Sequence, residues 1–272
     1  MSRFLQSVWI YVSVAAGLVS GAFLASCGAA PSTDPANYSP GGYWTGSLNG
    51  EPGVGLVDES GEFTFIAVDG EQYPGTLVIS GAIAPGAQPL TPYGASLSGS
   101  VLAFTPGGFP NYGVSNTDLG PLPTGILSGT IVPRQSIGGT VAFATETAAI
   151  SLTFNALYYV PSSLATISGT YNDSATGAVF TINADGTLFA QDATTGCVIN
   201  GTVSIINPSY NVYGVEVSYA SCTGSLTPLN GVTLAGLAAL DNTKSPEKML
   251  AGVWSSAQLP LNPSITYTLV RF

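Results

Sequence analysis

Cysteine, histidine and carboxylate are the residues from which a reactive site would be built here, and the inventory is short. The 272-residue chain has three cysteines, Cys27, Cys197 and Cys222, and no histidine. Without an imidazole there is no Ser-His-Asp or Cys-His arrangement to activate a nucleophile, and no ligand set for a zinc protease. Cys197 and Cys222 lack the Cys-x-x-Cys spacing of redox and metal pairs. Glycoside cleavage needs only two carboxylates, for which Asp58, Glu59, Glu62, Asp69, Asp185 and Glu216 are the candidates. Asp69 and Asp185 each precede glycine, where Asp serves the backbone of a turn. Asp58, Glu59 and Glu62 surround a polar turn and read as solvated. Neither a D-x-[DN]-x-[DN]-G calcium loop nor a glycine-rich phosphate loop occurs. The residues therefore assign no catalytic group, no metal and no cofactor. The expectation is a protein that is not an enzyme, with a carboxylate-based glycoside hydrolase as an alternative.

Position gives Cys27 a different meaning. Arg3 precedes an uncharged, mostly apolar run over residues 4–24, which ends in Leu24-Ala25-Ser26-Cys27. A basic start, an apolar stretch and small residues before a cut make a secretory signal peptide over residues 1–26. The four-residue ending resembles a bacterial lipobox, which implies diacylglycerol on the Cys27 sulfur, an acylated (palmitate-type) N-terminus and a lipid anchor in the membrane. The alternative is an uncleaved transmembrane anchor, since the run is long enough to span a bilayer. Gly28 stands where an Asp would favour inner-membrane retention in such lipoproteins, so the resemblance implies the outer membrane, facing periplasm or cell surface. Residues 27–42, small and proline-rich, read as a flexible tether.

With Cys27 committed to lipid, Cys197 and Cys222 remain as an even pair in an oxidising compartment. Asn207-Pro208-Ser209-Tyr210-Asn211 reads as a turn between strands over 196–206 and 212–222. A turn centred between Ser209 and Tyr210 places Cys197 opposite Cys222. Antiparallel partners stand about 4.5 Å apart at a non-hydrogen-bonded pair, within disulfide reach. Closing such a loop contributes on the order of 3 kcal/mol. That register puts Glu216 on the cysteine face, a conflict a bulge would relieve. The other face carries Tyr213, Val215, Val217 and Tyr219, a good core row.

These residues need strands to hold them, and period-two alternation runs through most of the chain. In residues 61–70, Phe63, Phe65 and Ala67 share one face. Residues 75–83, 95–104, 125–132, 139–144 and 149–158 read likewise, separated by Pro and Gly turn signals. Trp44 reads as a core anchor. The segment 106–123 is the longest candidate loop. Pro161-Ser162-Ser163 marks a boundary between an N-terminal domain, 43–161, and a C-terminal domain, 164–272. Asp185-Gly186 is a hairpin signal. Residues 226–240 read as one strand over a glycine bulge, 245–250 as a single helical turn, and 265–272 as a closing strand. Gly42-Tyr43-Trp44 before 61–70 and Gly169-Thr170-Tyr171 before 177–186 form a weak internal repeat. The fold expected is all-β: antiparallel meander sheets in two small barrel-like or sandwich-like halves, with almost no helix.

Arg134, Lys244, Lys248 and Arg271 face 15 Asp and Glu, so the exported body is acidic and repels nucleic acid. The tyrosines at 158, 159, 171, 210, 213 and 219 can line a sugar or apolar pocket or pack the sheets. Residues 164–222 resemble a group of uncharacterised bacterial outer-membrane lipoprotein repeats: Gly169-Thr170-Tyr171, Asp185-Gly186-Thr187, Gly196-Cys197, Asn211-Val212-Tyr213 and Cys222. No activity travels with that likeness. The Gly-x-aromatic openings also resemble those of avidin-like and lipocalin-like small barrels, which implies a ligand held inside. The expected function is a lipid-anchored envelope protein with a non-enzymatic binding or structural role, partnered by the membrane and by an envelope protein or small ligand. The alternative is a carrier of a small apolar or sugar ligand in a barrel pocket.

Overall fold

The computed structural model describes residues 39–68, 70–80, 95–102, 124–144, 147–255 and 263–272. Their strands close into two antiparallel barrels of eight. The first comprises β1 (Gly42–Leu48), β2 (Glu51–Val57), β3 (Glu62–Ala67), β4 (Gln72–Ser80), β5 (Ala95–Leu102), β6 (Thr124–Val132), β7 (Ser136–Ala142) and β8 (Thr147–Asn155). The second comprises β9 (Gly169–Asp173), β10 (Val179–Ile182), β11 (Thr187–Gln191), β12 (Val198–Ile205), β13 (Tyr213–Ala220), β14 (Thr233–Asp241), β15 (Lys248–Trp254) and β16 (Ser264–Arg271). Each strand pairs with the next in sequence. Closure comes from β1 against β8, with Tyr43 opposite Asn155, and from β16 against β9, with Leu269 opposite Asp173. Closure removes sheet edges that would otherwise recruit other chains.

The two-residue period decides what faces inward. In β8, Ala148, Ile150 and Leu152 are buried while Thr147, Ala149, Ser151 and Thr153 face out. Large side chains fill the first barrel: Trp44, Phe63, Phe65, Tyr73 and Ile131 belong to one buried cluster. Trp44 is fully buried, and its indole N–H donates to the Pro40 carbonyl at 3.3 Å. The second barrel mixes large residues with small ones, and Ala178, Ala190, Ala238 and Ala251 all face its core.

Outer faces are not uniformly wet. Thr64 and Ile66, on the outside of β3, are buried along with Phe63 and Phe65 on its inside. Leu237 and Ala239 on β14 cluster with Leu56, Tyr158 and Val212. The walls of the two barrels therefore pack on each other, with Gln72 Nε2 donating to Thr266 Oγ1 at 2.6 Å. A Cβ at Gly252 would meet Gln72 Oε1 at 2.9 Å and Ile66 Cδ1 at 3.0 Å, so a larger residue there would have to displace these side chains of the first barrel.

The connector between barrels is stiffened rather than loose. The Asn155 side chain accepts the Leu157 N–H and starts a 3-10 turn, Ala156–Tyr159, which ends β8 before the expected residue 158. A short helix, α1 (Leu164–Ile167), follows with Ser163 as its cap. Arg134, at φ 58, reaches from the β6–β7 turn to this connector. Its Nη2 pairs with Glu59 Oε1 at 2.8 Å, and its Nη1 donates to the Gly41 carbonyl. Its guanidinium carbon lies 4.5 Å from the Tyr158 ring centre and 5.1 Å from that of Tyr210, which comes from the second barrel. Tyr158 and Tyr210 themselves stack at 4.5 Å. Burial and the hydrogen bond to Glu59 push the Tyr158 phenol well above its ordinary range.

Several sequence expectations need correction. The stretch 226–240 is not one strand: Gly224–Leu229 forms a 3-10 segment and β14 starts at Thr233. Residues 245–250 make no helical turn, because β15 begins at Lys248, and its ladder to β16 prevails over the Ser-Pro cap signal. The weak repeat is one strand out of step: 61–70 brackets β3, the third strand of its barrel, while 177–186 brackets β10, the second of its own. The cysteine hairpin pairs Val198 with Ala220 and Ile205 with Tyr213, so its turn centres on Ser209 and the cysteines are not directly opposite in register. Ser221, at φ 59, supplies the extra residue that returns Cys222 to the core face. Glu216 thereby points outward.

Candidate functional site

One end of the second barrel is sealed. The α1 helix lies there, with Ile167 fully buried in the barrel core. Arg271, at the end of β16, donates from Nη2 to the Thr166 carbonyl at 2.5 Å and to the Tyr171 hydroxyl at 2.5 Å, and pairs through Nη1 with Glu247. Its guanidinium also lies 5.1 Å from the Tyr171 ring centre. Gly169 has φ 151, and a Cβ there would stand 3.2 Å from Arg271 Nε. The Gly-Thr-Tyr opening therefore has a physical reason: glycine makes room for the arginine that the tyrosine stacks on.

The opposite end carries the β9–β10, β11–β12, β13–β14 and β15–β16 connections, and a cavity of about 650 Å³ begins there, within the usual range of small-molecule pockets. Inside the barrel mouth its wall includes Phe180, Cys197, Ile199, Tyr219, Leu229 and Tyr267. It continues to outward positions on β15 and β16, Leu250, Thr266 and Thr268, facing Val54 and Ile66 of the first barrel. Among the described residues the wall holds no Lys or Arg, and Asp192 is its one acidic residue. Burial drives the Tyr267 phenol up, with the Asp173 charge adding to the effect.

Two copies of one turn frame the mouth: Asp173-Ser174-Ala175-Thr176-Gly177 and Asp192-Ala193-Thr194-Thr195-Gly196. In each, the glycine N–H bonds the aspartate carbonyl at 2.8 Å and the threonine hydroxyl donates to the aspartate Oδ2 at 2.6 Å. Gly177 and Gly196 sit at φ 74 and 73, which glycine supplies without strain. The Thr195 hydroxyl holds the Asp192 carboxyl below its usual range. This D-x-x-T-G repeat is visible in the sequence and went unused there, although it marks the rim.

The cysteine pair closes the third side. The Cys197 and Cys222 sulfurs stand 2.11 Å apart, at disulfide distance, with Cα atoms 4.0 Å apart. Asn230 braces the same point: its Oδ1 accepts the Cys222 N–H at 2.7 Å and its Nδ2 donates to the Cys222 carbonyl at 3.0 Å. Together they hold the 3-10 segment that contributes Leu226, Pro228 and Leu229 to the wall.

The carboxylate candidates are not gathered around the cavity. Asp58 accepts N–H bonds from Ser60 and Glu62 within its own turn. Glu59 serves Arg134 and Tyr158. Burial, then the Asp58 charge, raises Glu62. Asp185 orders its hairpin through Thr187, and Glu216 is exposed opposite Thr202. Asp69 and Cys27, with the leader, either reading of its apolar run, most of the tether and the 106–123 loop, lie outside the described residues. Of the six tyrosines singled out, Tyr219 reaches the cavity, while Tyr158, Tyr159 and Tyr210 surround Arg134. Tyr267 and Phe180 were missed, because one sequence does not reveal which inward residues border empty space. Among the described residues no group of three or more Cys, Asp or Glu is placed to hold a metal ion. No family model, no curated protein and no solved structure matches the chain.

Proposed function

We propose that this is a lipid-anchored cell-envelope protein whose second barrel binds a small, neutral, largely apolar ligand. The observation that carries the binding role is the cavity: it lies at the mouth of a barrel whose far end α1 and Arg271 close, is walled mainly by apolar residues, and is bordered by a braced rim. A wall that, among the described residues, has Asp192 and no basic residue, on a chain of net charge −10, disfavours anions. The lipobox-like Leu24-Ala25-Ser26-Cys27 supports the anchor and export to an oxidising compartment, where a Cys197–Cys222 bond persists, and Gly28 in place of an Asp supports the outer membrane. The turn and ion-pair roles of the carboxylates favour this non-enzymatic reading over the glycosidase.

Mass spectrometry of the full-length gene product extracted from membranes tests both halves. Denatured, it is expected to begin at Cys27 and carry acyl mass; native, to hold an additional neutral molecule that denaturation releases. An uncleaved, unacylated N-terminus overturns the anchor. A barrel that neither carries such a molecule nor takes up the neutral dye N-phenyl-1-naphthylamine overturns the binding role.

A further inference from the structure

We propose that the ligand is an apolar alcohol, its hydroxyl seated at the Tyr219–Tyr267 pair inside the second barrel. This deepens the binding role proposed above and rests on it. The phenol oxygens of Tyr219 and Tyr267 are hydrogen-bonded to each other, and both residues line the cavity. Two hydroxyls bring two protons, and the shared bond uses one. Among the described residues neither oxygen has a further partner. The pair thus offers a ligand one donor proton and free lone pairs.

A second observation comes from β9. Asp173 is 1% exposed and stands on the inward face, two positions after Tyr171 and beside the strand that carries Tyr267. Thr176 satisfies its Oδ2 through both N–H and hydroxyl, at 3.0 and 2.6 Å. Its Oδ1 is buried with no partner. Buried polar atoms are nearly always bonded, so an orphan acceptor in the core beside a cavity calls for a donor. Its effect on the Tyr267 phenol is consistent with this proximity.

The ligand's polar group must therefore accept from a phenol and also donate. A ketone or ester only accepts. An ammonium donates but has no lone pair for the phenol proton. A carboxylate would meet Asp192 with no cation among the described wall residues to offset the repulsion. A hydroxyl does both and adds no charge.

The test is displacement of N-phenyl-1-naphthylamine from the full-length chain by 1-dodecanol, dodecyl methyl ether and dodecanoate. The alcohol is expected to displace the dye at about tenfold lower concentration than the ether, the worth of one buried hydrogen bond, with dodecanoate weakest. Tyr267→Phe should abolish the alcohol's advantage while leaving the ether unchanged; Tyr219→Phe serves the same purpose should the first variant fold poorly. Equal displacement by alcohol and ether, or an advantage that survives in the folded Phe variants, overturns the alcohol assignment and leaves the binding role intact. A wild-type chain that takes up no dye overturns the binding role itself, and the alcohol assignment with it.

Discussion

Replacing Cys197 and Cys222 with alanine is expected to destabilise the second barrel by about 3 kcal/mol and to weaken dye binding severalfold. The pair closes a loop with sequence separation 25, and loop-closure entropy for that length has this magnitude. The binding effect has a separate cause. The bond and Asn230 jointly fix the base of the 3-10 segment that supplies Leu226, Pro228 and Leu229 to the cavity wall. Without the bond, two hydrogen bonds from one asparagine hold the segment, and the wall it forms loses definition. Urea titration should show a lower midpoint, with a slope no smaller than wild type because the unbridged unfolded chain exposes more surface. A loss below about 1 kcal/mol, with dye affinity unchanged, would show that the rim does not depend on the bond.

Arg134→Ala is expected to cost about 3 kcal/mol and to loosen the junction between barrels. Its side chain is 10% exposed and that of its partner Glu59 22%, so truncation strands a carboxylate in a poorly solvated place. It also removes the cation that Tyr158 and Tyr210 enclose. Arg134→Lys should recover only part of the loss. A lysine keeps the charge, but not the planar fork that serves Glu59 and the Gly41 carbonyl while stacking on a ring. Hydrogen exchange reads the coupling: amides of residues 156–163 and 207–211 should lose protection in Arg134→Ala ahead of either barrel core. Exchange unchanged in those segments, with stability within about 1 kcal/mol of wild type, would reduce the cluster to surface decoration.

The strands were legible because each barrel obeys a strict two-residue period over a filled or partly filled interior. Ile150 and Leu152 alternating with Ser151 and Thr153 left little choice. Hairpin register was legible only to within one residue. The cysteine pairing followed from the turn, but Ser221 in a left-handed backbone has no sequence signal, and the misplaced Glu216 was its one trace. The outer-face burial of Thr64, Ile66, Leu237 and Ala239 was hidden for another reason. Alternation separates inside from outside, yet it does not say whether the outside meets water or a second barrel. The cavity was hidden because it is an absence at the barrel mouth, where Ala178 stands beside Phe180, Tyr219 and Tyr267, and a single sequence does not mark which inward residues border empty space.

The most direct test of a ligand site in the second barrel is amide NMR of the full-length chain titrated with N-phenyl-1-naphthylamine. The expected result is saturable shifts at one equivalent, confined to residues 174–178, 192–197 and 224–229, the strands bearing Tyr219 and Tyr267, and the first-barrel residues 53–54 and 66–68 that border the same cavity. Shifts centred on the first barrel around Trp44, shifts scattered over exposed side chains without saturation, or none at all would contradict it.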